Sequence, residues 1–194
     1  MIHANISPEA LIRLGQVMAL WQSAGAKLVS LPWTASQEAV AATRPSERDP
    51  TTDIPTPFGF LLASGEQAFV EMASTLPLNQ IHIGWTPCFR HEPEFDATHH
   101  YYFLKSEVFV RCTPSQAPRE VERVRTIAMM SFQSLLRLHN QTAHLEFRQT
   151  GLNAFDIECN AIEVGSYGVR TYKEQTYVFG TALAEPRWSE TLTK

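Results

Sequence analysis

Cys88-Phe89-Arg90-His91-Glu92, a polar connection, then Phe103-Leu104-Lys105-Ser106-Glu107 is the stretch on which the reading of this chain turns. It sits inside two apolar-rich runs, 80–90 and 101–112, joined by the polar segment 91–100. Two long strands around a short polar connection predict an antiparallel hairpin. Alternation along a strand places Arg90 and Glu92 on one face, and Phe103, Lys105 and Glu107 together on theirs. An arginine beside paired carboxylates and an aromatic ring is what a nucleotide site requires. The guanidinium grips phosphate with two prongs, the ring stacks a base, and carboxylates hold an amine or magnesium. The same residues also suit a salt-bridged sheet face.

Working outward, Ser7-Pro8-Glu9 opens a helix with a cap, a proline in the first turn and an acid at the positive end of the dipole. Leu11, Ile12, Leu14, Val17, Met18 and Leu20 give it a broad apolar face, and Gly25 is placed to stop it. A strand is expected over 27–31, closed by Pro32, then a short helix over 36–43. The charged, proline-rich stretch 44–57 has no apolar period and reads as a mobile loop. Beyond it come a strand (58–63), a helix (66–76), the hairpin, and a long helix over 118–140. That helix carries Val121, Val124, Ala128, Phe132 and Leu135 on one stripe. Strands near 144–148, 153–164 and 169–179 and a terminal helix from about Glu185 complete an α+β chain, a mostly antiparallel sheet flanked by helices. At 194 residues it is expected to form one domain.

A net charge of −4 gives no broad basic face for sequence-independent nucleic-acid binding. No apolar run approaches the roughly 18–20 residues that span a bilayer. The N-terminus MIHANISPEA lacks the basic start and apolar core of a signal peptide, so a cytoplasmic protein is expected. Cys88, Cys112 and Cys159 form no CxxC pair and read as reduced, buried thiols. The seven histidines show no metal spacing.

Phe-Arg-x-Glu, a loop, then His99-x-x-x-Phe103 and Glu107 resembles motif 2 of class II aminoacyl-tRNA synthetases, closest in flavour to the seryl enzyme. Gly25-Ala-Lys-Leu-Val-Ser-Leu-Pro32, after its helix, resembles motif 1. Gly180-Thr-Ala-Leu-Ala-Glu-Pro-Arg187 has the spacing of motif 3. The resemblance implies a class II synthetase-like core that activates an amino acid or related carboxylate as its adenylate, with ATP and magnesium as cofactors. In that family the residue at Arg90 contacts the α-phosphate, Phe103 stacks adenine, Glu92 helps hold its amino group, and Arg187 binds the γ-phosphate. Leu62-Ala-Ser64-Gly-Glu66-Gln67 matches, by position, a loop whose glutamate recognises the substrate's amine, although a capped helix start is the plainer reading. Glu163 and Ser166, with Lys105 and Glu107, fall where the amino-acid pocket is expected. Asp156 and Glu158 resemble acids that hold magnesium, or else a solvated sheet face.

The resemblance also implies a homodimer through 8–32. Ala182 and Ala184 replace the glycines usual in motif 3, Pro186 stands where an acid or glycine is common, and Glu94 and Asp96 make the motif 2 loop ill-suited to a tRNA end. No anticodon-binding part is expected, which favours a protein, carrier or small-amine acceptor over tRNA. Related carrier-protein ligases use cysteine-held zinc, but Ser64 and Ser166 stand in the corresponding places, so no zinc is expected. A non-catalytic synthetase paralogue acting as a regulatory or accessory subunit is the alternative.

Overall fold

A computed structural model describes residues 6–44, 49, 52–91 and 100–192. Helix α1 spans Pro8–Ser23, capped as expected by Ser7, whose Oγ accepts the Ala10 N–H at 3.2 Å. The chain leaves it through Gly25 at φ 93°, a left-handed conformation that glycine adopts without cost. Strand β1 covers only Lys27–Leu28 rather than 27–31. Beyond it the Val29 N–H still reaches the Ile83 carbonyl at 2.9 Å, and the segment passes close over Gly84, where an added Cβ would stand 2.8 Å from the Val29 carbonyl oxygen and 2.7 Å from Leu31 Cγ. Then follow β2 (Thr34–Ala35), α2 (Gln37–Thr43), β3 (Pro55–Thr56), β4 (Gly59–Leu61) and α3 (Gly65–Met72), the last tightening into a 3-10 turn over Ala73–Thr75. Part of the expected 44–57 loop is thus paired into a small three-stranded sheet, β2-β4-β3.

The central hairpin is β5 (Ile81–Phe89) and β6 (Tyr102–Cys112), antiparallel with Cys88 opposite Phe103 and Trp85 opposite Ser106. After α4 (Ala117–Leu138) come β7 (Leu145–Gly151), β8 (Ala154–Cys159), β9 (Ile162–Tyr172), β10 (Gln175–Glu185) and α5 (Arg187–Thr191). The strands expected at 153–164 and 169–179 are therefore redivided. Each is broken by a two-residue turn, at Asn160–Ala161 (φ 50° and 65°) and Lys173–Glu174 (φ 46° and 63°). Both turns take the left-handed geometry that joins hairpin strands, but neither uses the glycine that usually announces it. The large sheet runs β1-β5-β6-β10-β9-β8-β7, antiparallel throughout save for the β1–β5 pair.

Alternation along β6 splits the apolar core between the two sheet faces. Val108 and Val110 join Ile81, Ile83 and Val178 beneath α1 and α4, where Trp21, Val124 and Phe132 are buried. Phe109 points the other way, into a cluster with Phe69, Val70, Leu62 and Tyr177 under α2 and α3. Its ring is stacked between Phe69 (centroids 5.2 Å apart) and Tyr177 (4.7 Å). On this second face the next odd-numbered residues of β6 are Glu107, Lys105 and Phe103, and they line a cleft.

Candidate functional site

The cleft encloses about 310 Å³ and is lined from β6, β9, β10, the start of α3 and Arg90. Arg90, just past the end of β5, extends β-pairing by donating its N–H to the Tyr101 carbonyl at 2.9 Å. Its Nε donates to the Ala63 carbonyl at 3.0 Å, and its guanidinium lies 4.9 Å above the centre of the Phe103 ring. A planar, delocalised cation covering an aromatic face is a favourable pair. It also marks that ring as a platform for a flat group.

Deeper in, Glu107 is buried and its carboxylate is saturated with donors. The Ser64 hydroxyl approaches its two oxygens at 2.7 and 2.9 Å, the Glu66 N–H reaches Oε2 at 3.0 Å, and Lys105 Nζ lies 2.6 Å from Oε1. Ser64 also caps α3, as the plainer reading of this stretch expects, and it does so while lining the cleft. Gly65 makes the approach possible, since a Cβ there would sit 2.8 Å from Glu107 Oε2.

Glu66 is buried as well, with Arg170 Nη1 at 2.7 Å from one oxygen and the Tyr177 hydroxyl donating to the other at 3.0 Å. Burial pushes its carboxyl up to about 7, with Glu107 adding to the rise and Arg170 opposing it. Because the ordinary value is 4.5, the folded chain holds between these limits a proton that the unfolded chain has released. This contribution to stability is complete below the unfolded value and is lost as pH rises through the folded one. Replacing Glu66 by glutamine removes it, so the stability of wild type relative to E66Q should fall on going from about pH 5 to about pH 8. Urea denaturation of both proteins at the two pH values checks this, and a constant difference would contradict it.

At the other wall, Arg187 opens α5 and its Nη1 lies 3.3 Å from Glu163 Oε1 on β9. Between β10 and β6 the register slips at Ala182: Thr181 pairs with Glu107, but Leu183 pairs with Ser106 and Ala184 with Lys105. This bulge buries Ala182 and Leu183 in the α1/α4 core and turns Ala184 to the cleft. Of these two alanines, only Ala184 therefore faces the cleft. Gly180 leaves no room for a side chain, because a Cβ there would lie 2.2 Å from the Tyr167 ring.

The expected residues Arg90, Phe103, Lys105, Glu107, Glu66, Glu163, Ser166 and Arg187 all line this one cleft. Glu92 lies outside the described residues, as do His99 and the acids Glu94 and Asp96. Asp156 and Glu158 do not line the cleft. Asp156 pairs across strands with Ser166, and Glu158 is bridged by Arg148 at 3.1 Å. The Asp156 carboxyl is held above its usual range, first by burial and then by Glu163 and Glu158, against the Ser166 hydrogen bond and Arg148. Among the described residues there is no group of three or more His, Cys, Asp or Glu arranged to hold a metal.

Sequence reasoning gave no role to Arg170, which also stacks 4.4 Å over the Phe179 ring, to Tyr177, or to the ion pair of Arg44 with Asp53 at the cleft's edge. For Arg170 a signal existed: it follows Ser166 at strand period on the same face of β9.

No protein-family model matches the sequence, and comparison with curated proteins finds no relative. Solved structures do resemble it. Seryl-tRNA synthetase from Pyrococcus horikoshii, complexed with ATP, superposes with a TM-score of 0.72 at 17% identity, covering 93% of this chain and 49% of that one. Cytoplasmic serine-tRNA ligase from Naegleria fowleri, in complex with AMP, gives 0.71 at 15% identity over 94% of this chain and 48% of its own. PylSc, a pyrrolysyl tRNA synthetase from Desulfitobacterium hafniense, gives 0.65 at 13% identity over 90% and 65%. The chain thus spans about half the length of the two seryl enzymes. Its α+β architecture is the fold of the catalytic core of class II aminoacyl-tRNA synthetases.

Proposed function

We infer that the chain activates an amino acid or related carboxylate as its adenylate, using ATP. The observation that carries this reading is the convergence of Arg90, Phe103 and Arg187, distant in sequence, on one cleft beside the Lys105–Glu107 and Glu66–Arg170 pairs. A substrate carboxylate oxygen attacks the α-phosphorus; the bond to the β-phosphate bridging oxygen breaks, and pyrophosphate leaves with that electron pair. The carboxylate is already ionised, so no base is required, and catalysis reduces to positioning and charge stabilisation. Arg90 steadies the α-phosphate and Arg187 the leaving pyrophosphate. Phe103 stacks the adenine, and Glu92 holds its amino group. Glu66 and Glu163 read the substrate amine, with Lys105, Glu107 and Ser166 shaping its pocket. A magnesium ion needs only one or two protein carboxylates when phosphates supply its other ligands; Asp156 and Glu158 would hold it, and it would offset phosphate charge. The acceptor is a protein side chain, a carrier or a small amine. ATP–pyrophosphate exchange across the standard amino acids tests the reading, and its absence with all of them would overturn activation of those substrates.

The alternative, a regulatory or accessory subunit without catalysis, draws on Ala184, whose methyl faces the cleft. Calorimetry with ATP and magnesium separates the two, because a chain that has lost the nucleotide gives no heat.

A homodimer through 8–32 completes the proposal. Leu11, Ile12 and Leu28 in that segment are about half exposed, apolar surface that a partner copy would cover. Sedimentation should show a dimer, and replacing Ile12 and Leu28 by aspartate should shift it to monomer. A wild-type monomer at high concentration would refute it.

A further inference from the structure

We propose that Arg13 of α1 is a positioning residue for Arg187, acting through a buried clamp of Glu185 and Ser189. The inference rests on the triphosphate site described above. Arg187 opens a helix of five residues, far too short to hold its own direction. The residues two before and two after it are tied together. The Glu185 carboxylate, whose side chain has no exposure, accepts from the Ser189 N–H at 3.2 Å and from its hydroxyl at 2.6 Å. Arg13 closes the clamp with two prongs, Nε at 2.5 Å from Glu185 Oε1 and Nη2 at 2.5 Å from Ser189 Oγ.

The two flanking residues are thus pinned to α1, and Trp188 between them is buried against Phe132 with ring centres 5.0 Å apart. From this pinned segment Arg187 reaches across the cleft toward Glu163. Only an arginine can bridge both acceptors with a rigid fork, since a lysine is a point charge on a flexible stem. The clamp also ties α1, the element assigned to the dimer contact, to the phosphate end of the site.

The test is calorimetric ATP affinity with magnesium for wild type, R13M, R187A and the double variant, with hydrogen exchange over 187–191. R13M should weaken ATP about tenfold, because small misplacement of a positioned group is costly. It should speed exchange over 187–191, and it should add nothing in the R187A background. R13K should fall between. Unchanged affinity in R13M, or an equal loss in both backgrounds, would overturn the proposal. Should R13M fail to fold, R13K is read in the same cycle. Wild type that binds no ATP removes the nucleotide reading itself, and this proposal with it. Wild type that binds ATP while R13M behaves normally removes only the clamp.

Discussion

Replacing Arg90 by alanine should lower ATP–pyrophosphate exchange about a hundredfold, the loss of roughly 3 kcal/mol that follows removal of one charge-assisted contact to a phosphoryl transition state. Arg90 donates from its Nε to the Ala63 carbonyl and covers the Phe103 ring from the rim of the cleft, and an aromatic–cation pair there is worth only about 1 kcal/mol. The loss should fall on kcat more than on KM for ATP, because the α-phosphate crowds and gains charge chiefly as the carboxylate attacks. Lysine should restore little, since it keeps the charge without the fork. Exchange by R90A near the wild-type rate would remove Arg90 from the chemistry, whatever the rest of the cleft does.

Phe109→Ala should cost about 3–5 kcal/mol, the usual toll for deleting a buried aromatic ring that its surroundings cannot fill. Domains commonly hold a total of about 5–15 kcal/mol, so about a fifth or more of the stability would go. Phe109 has no exposure and lies stacked between Phe69 of α3 and Tyr177 of β10. It is also the next residue after Glu107 on the cleft face, and it carries the helix whose start presents Ser64 and Glu66. Nucleotide affinity should therefore fall along with stability. Urea denaturation provides the measurement, and a cost under about 1 kcal/mol would show that the ring is not the prop this packing implies.

Much of this was legible because the hairpin is regular. Period-two spacing alone put Phe103, Lys105 and Glu107 on one face, and they line one cleft with Arg90. Helices α1 and α3 announced themselves through the Ser7 and Ser64 caps. What escaped did so for physical reasons. Asn160–Ala161 and Lys173–Glu174 reverse the chain without glycine or proline, so residues 153–179 offered no punctuation where the strands end. The Glu66–Arg170 pair joins residues 104 apart in sequence, and only strand order brings them within 2.7 Å. Asp156 and Glu158 alternate along β8 and are absent from the cleft lining, which β9 supplies with Glu163 and Ser166.

The slip at Ala182 has a bearing on how this chain tolerates length change. One surplus residue inverts the in–out parity of the last part of β10, which is why Leu183 is inside and Ala184 outside. Excising it would leave Leu183 opposite Ser106 and Ala184 opposite Lys105, so the strand should accept that loss with both faces intact. An unbroken ladder of the same length would instead send a leucine into the cleft and a small methyl into the core.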